Sequence, residues 1–307
     1  MPVDSPFRSA AATDTGLLRD RNEDRYWIDE DRGVFLVVDG VGGHAAGELA
    51  AQTAVEAIKE TFAANGLAAE KRVRAAIAAA NNRIFQLSSS AGEYEGMACV
   101  LTLAVLEDSQ ITVGHVGDSR MYLIWNGAIR KLTSDHSPVG RDEDAGELTE
   151  EQAMQHPRRN EVYRDVGAEP RQPEDADFIE IRKCRFHRDA AILLCSDGLT
   201  DHLSSSRVRE IVERYDGDAE RVAKELVEAA NGAGGRDNIT ALFVAGPEFR
   251  GRSGITRPRA STTRFRPPRG LLTGRAAFLI YGLLLGMLIW AAILSPVLFV
   301  HAARMAP

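Results

Sequence analysis

Four short runs of strand-forming residues between positions 98 and 132 constrain the fold most strongly. They are Ala98–Leu106, Gln110–His115, Arg120–Trp125 and Ala128–Leu132. Tight turns join consecutive runs, and Asn126-Gly127 in the last turn is a strong signal for a two-residue hairpin. Connections this short join antiparallel strands, whereas parallel strands need long crossovers. The pattern predicts an antiparallel meander and argues against a doubly wound nucleotide-binding fold.

Apolar periodicity predicts helices on both sides of this meander. The helices before it are Gly47–Phe62 and Lys71–Leu87, and those after it are Ser205–Tyr215 and Asp218–Asn231. The other predicted strands are Tyr26–Ile28, Val34–Val38, Asp177–Ile181, Ala190–Cys195 and Ile239–Val244.

The segment from Ser134 to Pro173 is polar and poorly periodic, with one short helical stretch at Glu147–Gln155. A loop of this length inside a compact domain is usually functional or mobile. We expect His136 and His156, which lie within it, to fix its conformation rather than to act in catalysis.

Three aspartates lie at the ends of predicted buried strands. Asp39 and Asp197 come just after a strand and are each followed by glycine, whereas Asp237 precedes the last strand in a glycine-rich turn. Each alone is also typical of a turn residue that bonds its own backbone. Three converging carboxylates would repel one another unless divalent cations bound between them. Without a predicted histidine or cysteine cluster, oxygen ligands favour Mg²⁺ or Mn²⁺, and two such ions can activate a water for attack on phosphorus.

Two other polar positions have both a structural and a functional interpretation. The cluster Arg19–Asp24 is either a solvated turn or an oxyanion clamp beside metal ligands, because a guanidinium group can bind two phosphate oxygens at once. Asp118 lies in a tight Gly-Asp-Ser-Arg turn, and by itself it is typical of an ordinary β-turn aspartate.

The charge of the chain is unevenly distributed. The net charge is −7, and the nine arginines of residues 249–307, which contain no lysine or acid, contribute +9, so residues 1–248 carry −16. A domain this acidic argues against nucleic acid as a partner. The cysteines Cys99, Cys184 and Cys195 show no paired spacing, which indicates a reducing compartment. None has an arginine six positions later, so a cysteine-nucleophile phosphatase loop is absent.

The C-terminal part of the chain has the composition of a membrane anchor. Residues 276–300 contain no charged side chain, and at about 1.5 Å per residue a helix of this length spans a bilayer core of roughly 30 Å. Eight arginines lie between Arg250 and Arg275, which places the N-terminal side in the cytoplasm. These arginines either set the topology or also bind anionic lipid.

The predicted organisation therefore has four parts. They are a catalytic domain at 1–248, a disordered Arg/Pro-rich linker at 249–275, a transmembrane helix at 276–300 and a short extracytoplasmic tail at 301–307. We expect a single-pass protein of the inner (cytoplasmic) membrane with its catalytic domain in the cytoplasm.

Six short motifs occur in an order and spacing that resemble those of the type 2C metal-dependent serine/threonine protein phosphatases, in their bacterial form. The motifs are Arg19-x-x-Asn22-Glu23-Asp24, Asp39-Gly40-Val41-Gly42-Gly43-His44, Gly117-Asp118-Ser119-Arg120, Asp135-His136-Ser137, Ser196-Asp197-Gly198-Leu199 and Arg236-Asp237-Asn238-Ile239-Thr240. The resemblance covers about residues 10–245. It implies an α+β fold in which two packed antiparallel β-sheets are flanked by helical pairs, an αββα sandwich.

The resemblance also implies a set of metal ligands. Asp39 would bridge two metal ions, and the carbonyl of Gly40 would bind one of them. Asp197 and Asp237 would bind the other ion. Asp118, together with Asp197, would form a third and weaker metal site. The implied cofactors are two to three Mn²⁺ or Mg²⁺ ions.

Other residues would act around the metals. The resemblance implies that Arg19 clamps the substrate phosphate and that Glu23 and Asp24 hold metal-bound waters. Some members of the family have a histidine directly after the Asp-Gly pair as a general acid, but this chain has Val41 there. We expect His44 to have a structural role, which leaves the general acid open.

The expected reaction is hydrolysis of phosphoserine and phosphothreonine in proteins by a metal-activated water, without a covalent intermediate. The expected partners are phosphorylated proteins, with a membrane serine/threonine kinase as a candidate, and the membrane itself through the C-terminal helix. One alternative is a catalytically inactive module of the same fold that senses or recruits a partner at the membrane. Another is a two-metal hydrolase of nucleic acids or nucleotides, which the negative charge disfavours.

Overall fold

The computed structural model describes residues 7–42, 46–63, 66–90, 92–94 and 96–252, and in these ranges ten strands form two five-stranded sheets. The strands are β1 (Arg8–Asp14), β2 (Arg25–Asp29), β3 (Val34–Val41), β4 (Ala98–Glu107), β5 (Gln110–Val116), β6 (Arg120–Trp125), β7 (Ala128–Lys131), β8 (Glu180–Arg185), β9 (Ala191–Cys195) and β10 (Ile239–Ala245). The first sheet has the order β1-β10-β9-β6-β7, the second has β2-β3-β4-β5-β8, and neighbouring strands are antiparallel.

Helices cover the outer faces of both sheets. The helices of the described residues are α1 (Ala46–Ala63), α2 (Ala69–Ser88), α3 (Pro138–Asp144), α4 (Glu150–Met154), α5 (Asp197–Thr200), α6 (Ser205–Val212) and α7 (Ala219–Gly232), with a 3₁₀ turn at Gly92–Tyr94. Helices α1 and α2 pack on the second sheet, and α6 and α7 pack on the first. The expected sandwich of two antiparallel sheets between helical layers is confirmed.

Strand β3 is apolar along most of its length because both of its faces are covered by other elements. Successive side chains of a strand point to opposite faces, so both faces need apolar residues when both are covered. Leu36 and Val38 pack against α1 and α2, whereas Phe35 and Val37 pack between the two sheets. Asp39 is the first polar residue of the strand, and it lies where the apolar cover ends.

The predicted meander is wrong in one respect, because its two hairpins belong to different sheets. Strands β4 and β5 lie in the second sheet, and β6 and β7 lie in the first. The chain crosses between the sheets at Gly117, whose φ of +108° suits glycine, and a Cβ there would lie 2.2 Å from the side chain of Val100. The crossing carries Asp118 to the same end of the sandwich as Asp39.

Most other predicted elements are confirmed to within a few residues, but one strand is misplaced and several short elements were not predicted. The predicted strand Asp177–Ile181 is misplaced, because residues 176–178 form a turn and the strand begins at Glu180, while Phe178 and Ile179 are buried against the second sheet and α2. Strand β1 was not predicted. Helix α3 was missed as well, although Ser137 caps it by accepting a hydrogen bond from the Gly140 amide at 2.9 Å.

Four residues beyond the predicted domain boundary still belong to the packed structure. Phe249 is buried against Tyr215 and Phe243, and the Nε of Arg252 lies 3.2 Å from a carboxylate oxygen of Glu213. The predicted transmembrane segment 276–300, the rest of the linker and the tail lie outside the described residues, as does His44. Among the helices that the structure describes, none has the length and apolar character needed to cross a membrane.

Candidate metal centre

A polar cavity of about 170 Å³ opens at the end of the sandwich where β3 and β9 end. It brings together every predicted site residue except Asp24. Those that line it are Arg19, Glu23, Asp39, Gly40, Asp118, Asp197 and Asp237. Residues that lie far apart in the sequence thus converge as predicted, although each came from a separate motif.

The glycines that follow Asp39 and Asp197 are required by close backbone packing. A Cβ on Gly40 would lie 2.2 Å from the carbonyl oxygen of Gly47 in the first turn of α1. A Cβ on Gly198 would lie 2.1 Å from the carbonyl oxygen of Asn238. The two Asp-Gly pairs therefore let neighbouring backbone segments approach the aspartates, which holds the carboxylates in place.

Asn238 is a positioning residue to which the sequence analysis gave no role. Its side-chain amide donates to the carbonyl oxygens of Thr15 at 2.9 Å and Arg21 at 2.8 Å, and its side-chain oxygen accepts from the amide of Glu23 at 2.8 Å. These bonds attach the segment that carries Arg19 to the start of β10. An asparagine beside an aspartate in a glycine-rich turn was the available signal.

Asp24 lies behind the cavity and is 2% exposed. One carboxylate oxygen accepts a hydrogen bond from Ser196 Oγ at 2.7 Å, and this hydroxyl oxygen accepts from the Thr240 amide at 2.9 Å. The other carboxylate oxygen is buried without a hydrogen-bond partner among the described residues. Burial raises the pKa of Asp24 to about 6, even though the neighbouring hydroxyls oppose this.

The cavity concentrates negative charge. Burial, and then the nearby carboxylates, raise the pKa values of Asp39 and Asp197 well above their usual range. Burial and the charge of Asp135 raise the pKa of Asp118 to about 7. Arg19 is the one cationic side chain in the described lining. Divalent cations with a preference for oxygen ligands would balance these charges, so the residues present fit Mn²⁺ or Mg²⁺.

Arg19 approaches this group of carboxylates from the solvent side. Its Nη2 lies 2.8 Å from Asp237 Oδ2, and its side chain is 54% exposed. The guanidinium is thus tethered at the mouth of the cavity, with donors left to bind an incoming anion. This position agrees with the predicted phosphate clamp.

Contrary to the sequence analysis, the fold does assemble a histidine cluster. Ligand atoms of His115, His136 and Glu180 lie within 4.8 Å of one another, whereas in the described chain no three of the predicted carboxylates come so close. The histidines have a structural role here, because both ring nitrogens of His115 are engaged, with Thr102 Oγ1 and the Gly117 carbonyl oxygen, each at 2.9 Å.

The two histidines hold the turn that carries Asp118. His136 Nδ1 accepts a hydrogen bond from the Gly117 amide at 3.0 Å, and the His136 amide donates to the Gly117 carbonyl oxygen at 2.7 Å. Burial lowers the pKa of His136 to about 2, so its ring stays neutral and can accept this bond. The expected loop-fixing role of His136 thus includes the turn at Asp118.

The long segment Ser134–Pro173 contributes residues that the sequence analysis did not identify. Asn160 and Val162 line the cavity. Arg159 Nε lies 2.6 Å from a carboxylate oxygen of Asp201, whose charge contributes to the raised pKa of Asp197. Asp201 directly follows α5, a short helix that the sequence analysis did not predict, so no sequence signal identified it.

Comparison with known proteins identifies the family. A family model described as protein phosphatase 2C matches residues 15–236. The chain belongs to this family. The serine/threonine phosphatase stp of Listeria monocytogenes is 37% identical over 242 residues, which cover 76% of this chain and 93% of that protein. The crystal structure of the Mycobacterium tuberculosis phosphatase PstP/Ppp is similar with a TM-score of 0.70 and 30% identity, covering 78% of this chain and 98% of that one.

A further structure bears on the metals. The catalytic domain of the phosphatase PstP in complex with two manganese ions is similar with a TM-score of 0.68 and 29% identity, over 78% of this chain and 97% of that one. The predicted function is confirmed: this chain is a metal-dependent protein phosphatase that acts on phosphoserine and phosphothreonine, with Mn²⁺ or Mg²⁺ as its cofactor.

Proposed function

We propose that the carboxylates around the cavity hold the catalytic cations of this phosphatase, with the following roles. Asp39 and the Gly40 carbonyl would hold ions at the end of β3, with Asp39 shared between two of them. Asp197 and Asp237 would bind the second of these two, and Asp118 with Asp197 would bind a third. The observation that carries this proposal is the convergence of these carboxylates on one cavity whose lining, as far as it is described, contains a single arginine.

The chain's own groups act on the substrate and on water. When bound, the cations supply a water nucleophile at neutral pH and offset the charge that develops on the phosphoryl group. Arg19, tethered to Asp237, grips the phosphoryl oxygens and orients the phosphorus toward the carboxylates. Glu23 and Asp24 orient water, and the unpaired carboxylate oxygen of Asp24 is available to accept such a hydrogen bond.

The test of the metal assignment is a phosphatase assay on the purified chain. The substrates are phosphoserine, phosphothreonine and phosphotyrosine peptides of otherwise identical sequence, each with Mn²⁺ and with EDTA. We expect Mn²⁺-dependent release of phosphate from the first two peptides. Activity that EDTA does not reduce would contradict the metal scheme, and no hydrolysis in Mn²⁺ would favour the inactive recruitment module.

We further propose that residues 276–300 anchor the chain in the cytoplasmic membrane, with the catalytic domain in the cytoplasm. The support is the uncharged run and the eight arginines that precede it. After alkaline carbonate washing of membranes, the full chain should stay in the pellet, while a truncation that ends at Arg252 should be soluble. Release of the full chain by carbonate would contradict the anchor.

The proposed partners are phosphorylated proteins at the same membrane, including a serine/threonine kinase. The support is the combination of a phosphoserine/phosphothreonine reaction with the proposed anchor. Restricting enzyme and substrate to one surface raises their effective concentration. The full chain in vesicles should therefore dephosphorylate a membrane-tethered phosphoprotein faster than the same protein in solution, and equal rates would contradict the coupling.

A further inference from the structure

A second cavity, of about 500 Å³, adjoins the metal centre. It lies between α4, the segment that follows α4, the α5–α6 region and the glycine-rich turn before β10. Its ionisable lining consists of Glu151, Arg159, Asp201, His202, Arg207 and Arg236. Two of these residues are the direct sequence neighbours of residues that line the metal cavity, because Arg159 precedes Asn160 and Arg236 precedes Asp237. A substrate chain that leaves the metal cavity therefore reaches the second cavity within a few residues.

Arg236 is the most available cation in this second cavity. Its side chain is exposed, and in the described chain no carboxylate lies within ion-pair distance of it. Its backbone is held, because its amide donates to His202 Nε2 at 3.1 Å and because Gly235 before it takes a φ of +51°. A fixed backbone that carries a free guanidinium makes a preorganised anion-binding position.

The other two arginines of the lining each have a carboxylate partner. Asp201 is engaged by Arg159 at 2.6 Å. Arg207 contacts Glu210 at 2.9 Å but keeps 45% of its side chain exposed, so donors remain for another anion. Arg236 is thus the arginine of this lining without a carboxylate partner in the described chain, and Glu151 is the acid of the lining without a cationic one.

We propose that this second cavity binds an acidic side chain of the phosphoprotein substrate, so that Arg207 and Arg236 select segments with an anion a few residues from the phosphorylated one. The inference rests on the metal cavity being the catalytic centre. An extended segment advances about 3.3 Å per residue, so an acid two to four residues away can reach the second cavity while the phosphate stays at the first. Aspartate, glutamate and a second phosphorylated residue share the chemistry that a guanidinium recognises.

The experiment uses the full-length chain loaded with Mn²⁺ and a double variant, Arg207→Gln with Arg236→Gln. The matched control is Arg188→Gln, which removes an exposed arginine that pairs with Glu248 and lines a cavity made by other parts of the chain. The substrates are phosphothreonine peptides that carry aspartate, glutamate, phosphoserine or glutamine at one position three residues away. A small substrate, p-nitrophenyl phosphate, reports on the metal centre alone.

We expect the wild-type chain to prefer the anionic peptides over the glutamine peptide by about fivefold in kcat/KM, mainly through KM. The double variant should lose this preference, while its rate on p-nitrophenyl phosphate and on the glutamine peptide changes less than about twofold. Arg188→Gln should keep the preference. Comparing kcat/KM for the aspartate, glutamate and phosphoserine peptides shows whether a carboxylate is enough for the preference or a phosphate is preferred.

Several results would overturn the inference. One is a wild-type chain without preference for the anionic peptides, and another is a preference that survives in the double variant. Equal loss in Arg188→Gln would show a general charge effect instead of a site. If the double variant melts at a lower temperature, the single Arg236→Gln exchange at an exposed side chain repeats the test. Failure of the wild-type chain to hydrolyse p-nitrophenyl phosphate would instead count against the proposed metal centre, and against this inference with it.

Discussion

The two ends of the β-sandwich differ in how their charges are balanced. At the end opposite the metal centre, a cavity of about 430 Å³ is lined by aromatic side chains and by several charged residues. Its arginines have carboxylate partners: Arg72 pairs with Glu107, and Arg188 pairs with Glu248 at 2.6 Å. At the metal end, the cavity is smaller, about 170 Å³, and its described lining has five carboxylates and one arginine.

Cavity size is therefore a poor guide to function in this fold. In the described lining of the larger cavity three arginines nearly balance four acids, and each arginine is paired with a carboxylate, so a bound cation is not needed to offset the charge. The smaller one holds carboxylates whose pKa values are raised by burial and mutual repulsion, which is the arrangement that a bound cation relieves. A substitution in the metal cavity should therefore reduce activity strongly with little loss of stability. A substitution in the opposite cavity should leave activity nearly unchanged and lower stability slightly.

The largest effect is expected for Asp39→Asn. Loss of the proposed bridging carboxylate should lower kcat by on the order of a thousandfold or more. The metal-free variant should stay folded and melt at the same temperature or higher, because the exchange removes a repelling buried charge. Phosphopeptide turnover and thermal melts in EDTA measure both. Turnover close to that of the wild-type chain would contradict the proposed metal ligand.

The next largest effect is expected in how the stabilisation by Mn²⁺ depends on pH. Asp24 and Asp118 have usual pKa values of 3.8, and in the folded chain these rise to about 6 and about 7. The metal-free folded state therefore holds these protons more tightly than the unfolded chain, and its stability falls as the pH rises from about 4 to about 7.

Since cations bind the deprotonated carboxylates, Mn²⁺ should raise the melting temperature by several degrees more at about pH 7.5 than at about pH 5. Thermal melts with EDTA and with saturating Mn²⁺ at both pH values measure the difference. A shift that is equal at both would show that these carboxylates do not titrate in the metal-binding step.

A smaller effect is expected for Arg19→Ala. The side chain is exposed and acts as a clamp at the mouth of the cavity, so its removal should raise KM about fivefold with a lesser change in kcat. Steady-state kinetics on one phosphopeptide separate the two constants. An unchanged KM would contradict the clamp, and Arg32→Ala, an equally exposed arginine at the opposite end, is the matched control.

The smallest effect is expected at the end of the sandwich opposite the metal centre. Glu107→Gln breaks the ion pair with Arg72 at a partly exposed position and should lower the free energy of unfolding by less than about 1 kcal/mol. Phosphatase activity should stay within about twofold of the wild-type value. Denaturant unfolding and a parallel assay measure both quantities. A large loss of activity would show that the two ends are coupled, which the comparison of their charges does not predict.

Much of the fold followed from local patterns. The helices α1, α2 and α7 match their predicted ranges to within two residues at each end, because an apolar stripe on a helix has a recognisable period. The misplaced strand near Asp177 has a different cause. Phe178 lies in a turn and Ile179 directly follows it, yet both side chains are buried in the core. Burial alone does not distinguish a turn from a strand.

The crossing at Gly117 could not be predicted from its residues. A Gly-Asp-Ser turn is equally suitable for a hairpin and for a passage between sheets, since both need only a glycine with positive φ. What distinguishes them is the sheet in which each flanking strand finds its neighbours. The same holds for Asn160 and Val162, whose places in the cavity depend on how the long segment folds back.

Residue types and short motifs were enough to predict the chemical groups of this site: aspartates beside glycines at strand ends, arginines close to acids, and an acidic domain suited to cations. Only the tertiary structure decided which groups meet, such as Asp24 with Ser196, which are 172 positions apart, or His115 and His136 around one turn. Residue type and periodicity act over a few positions of the chain. Convergence depends on two sheets packing face to face, and no short stretch of sequence contains that information.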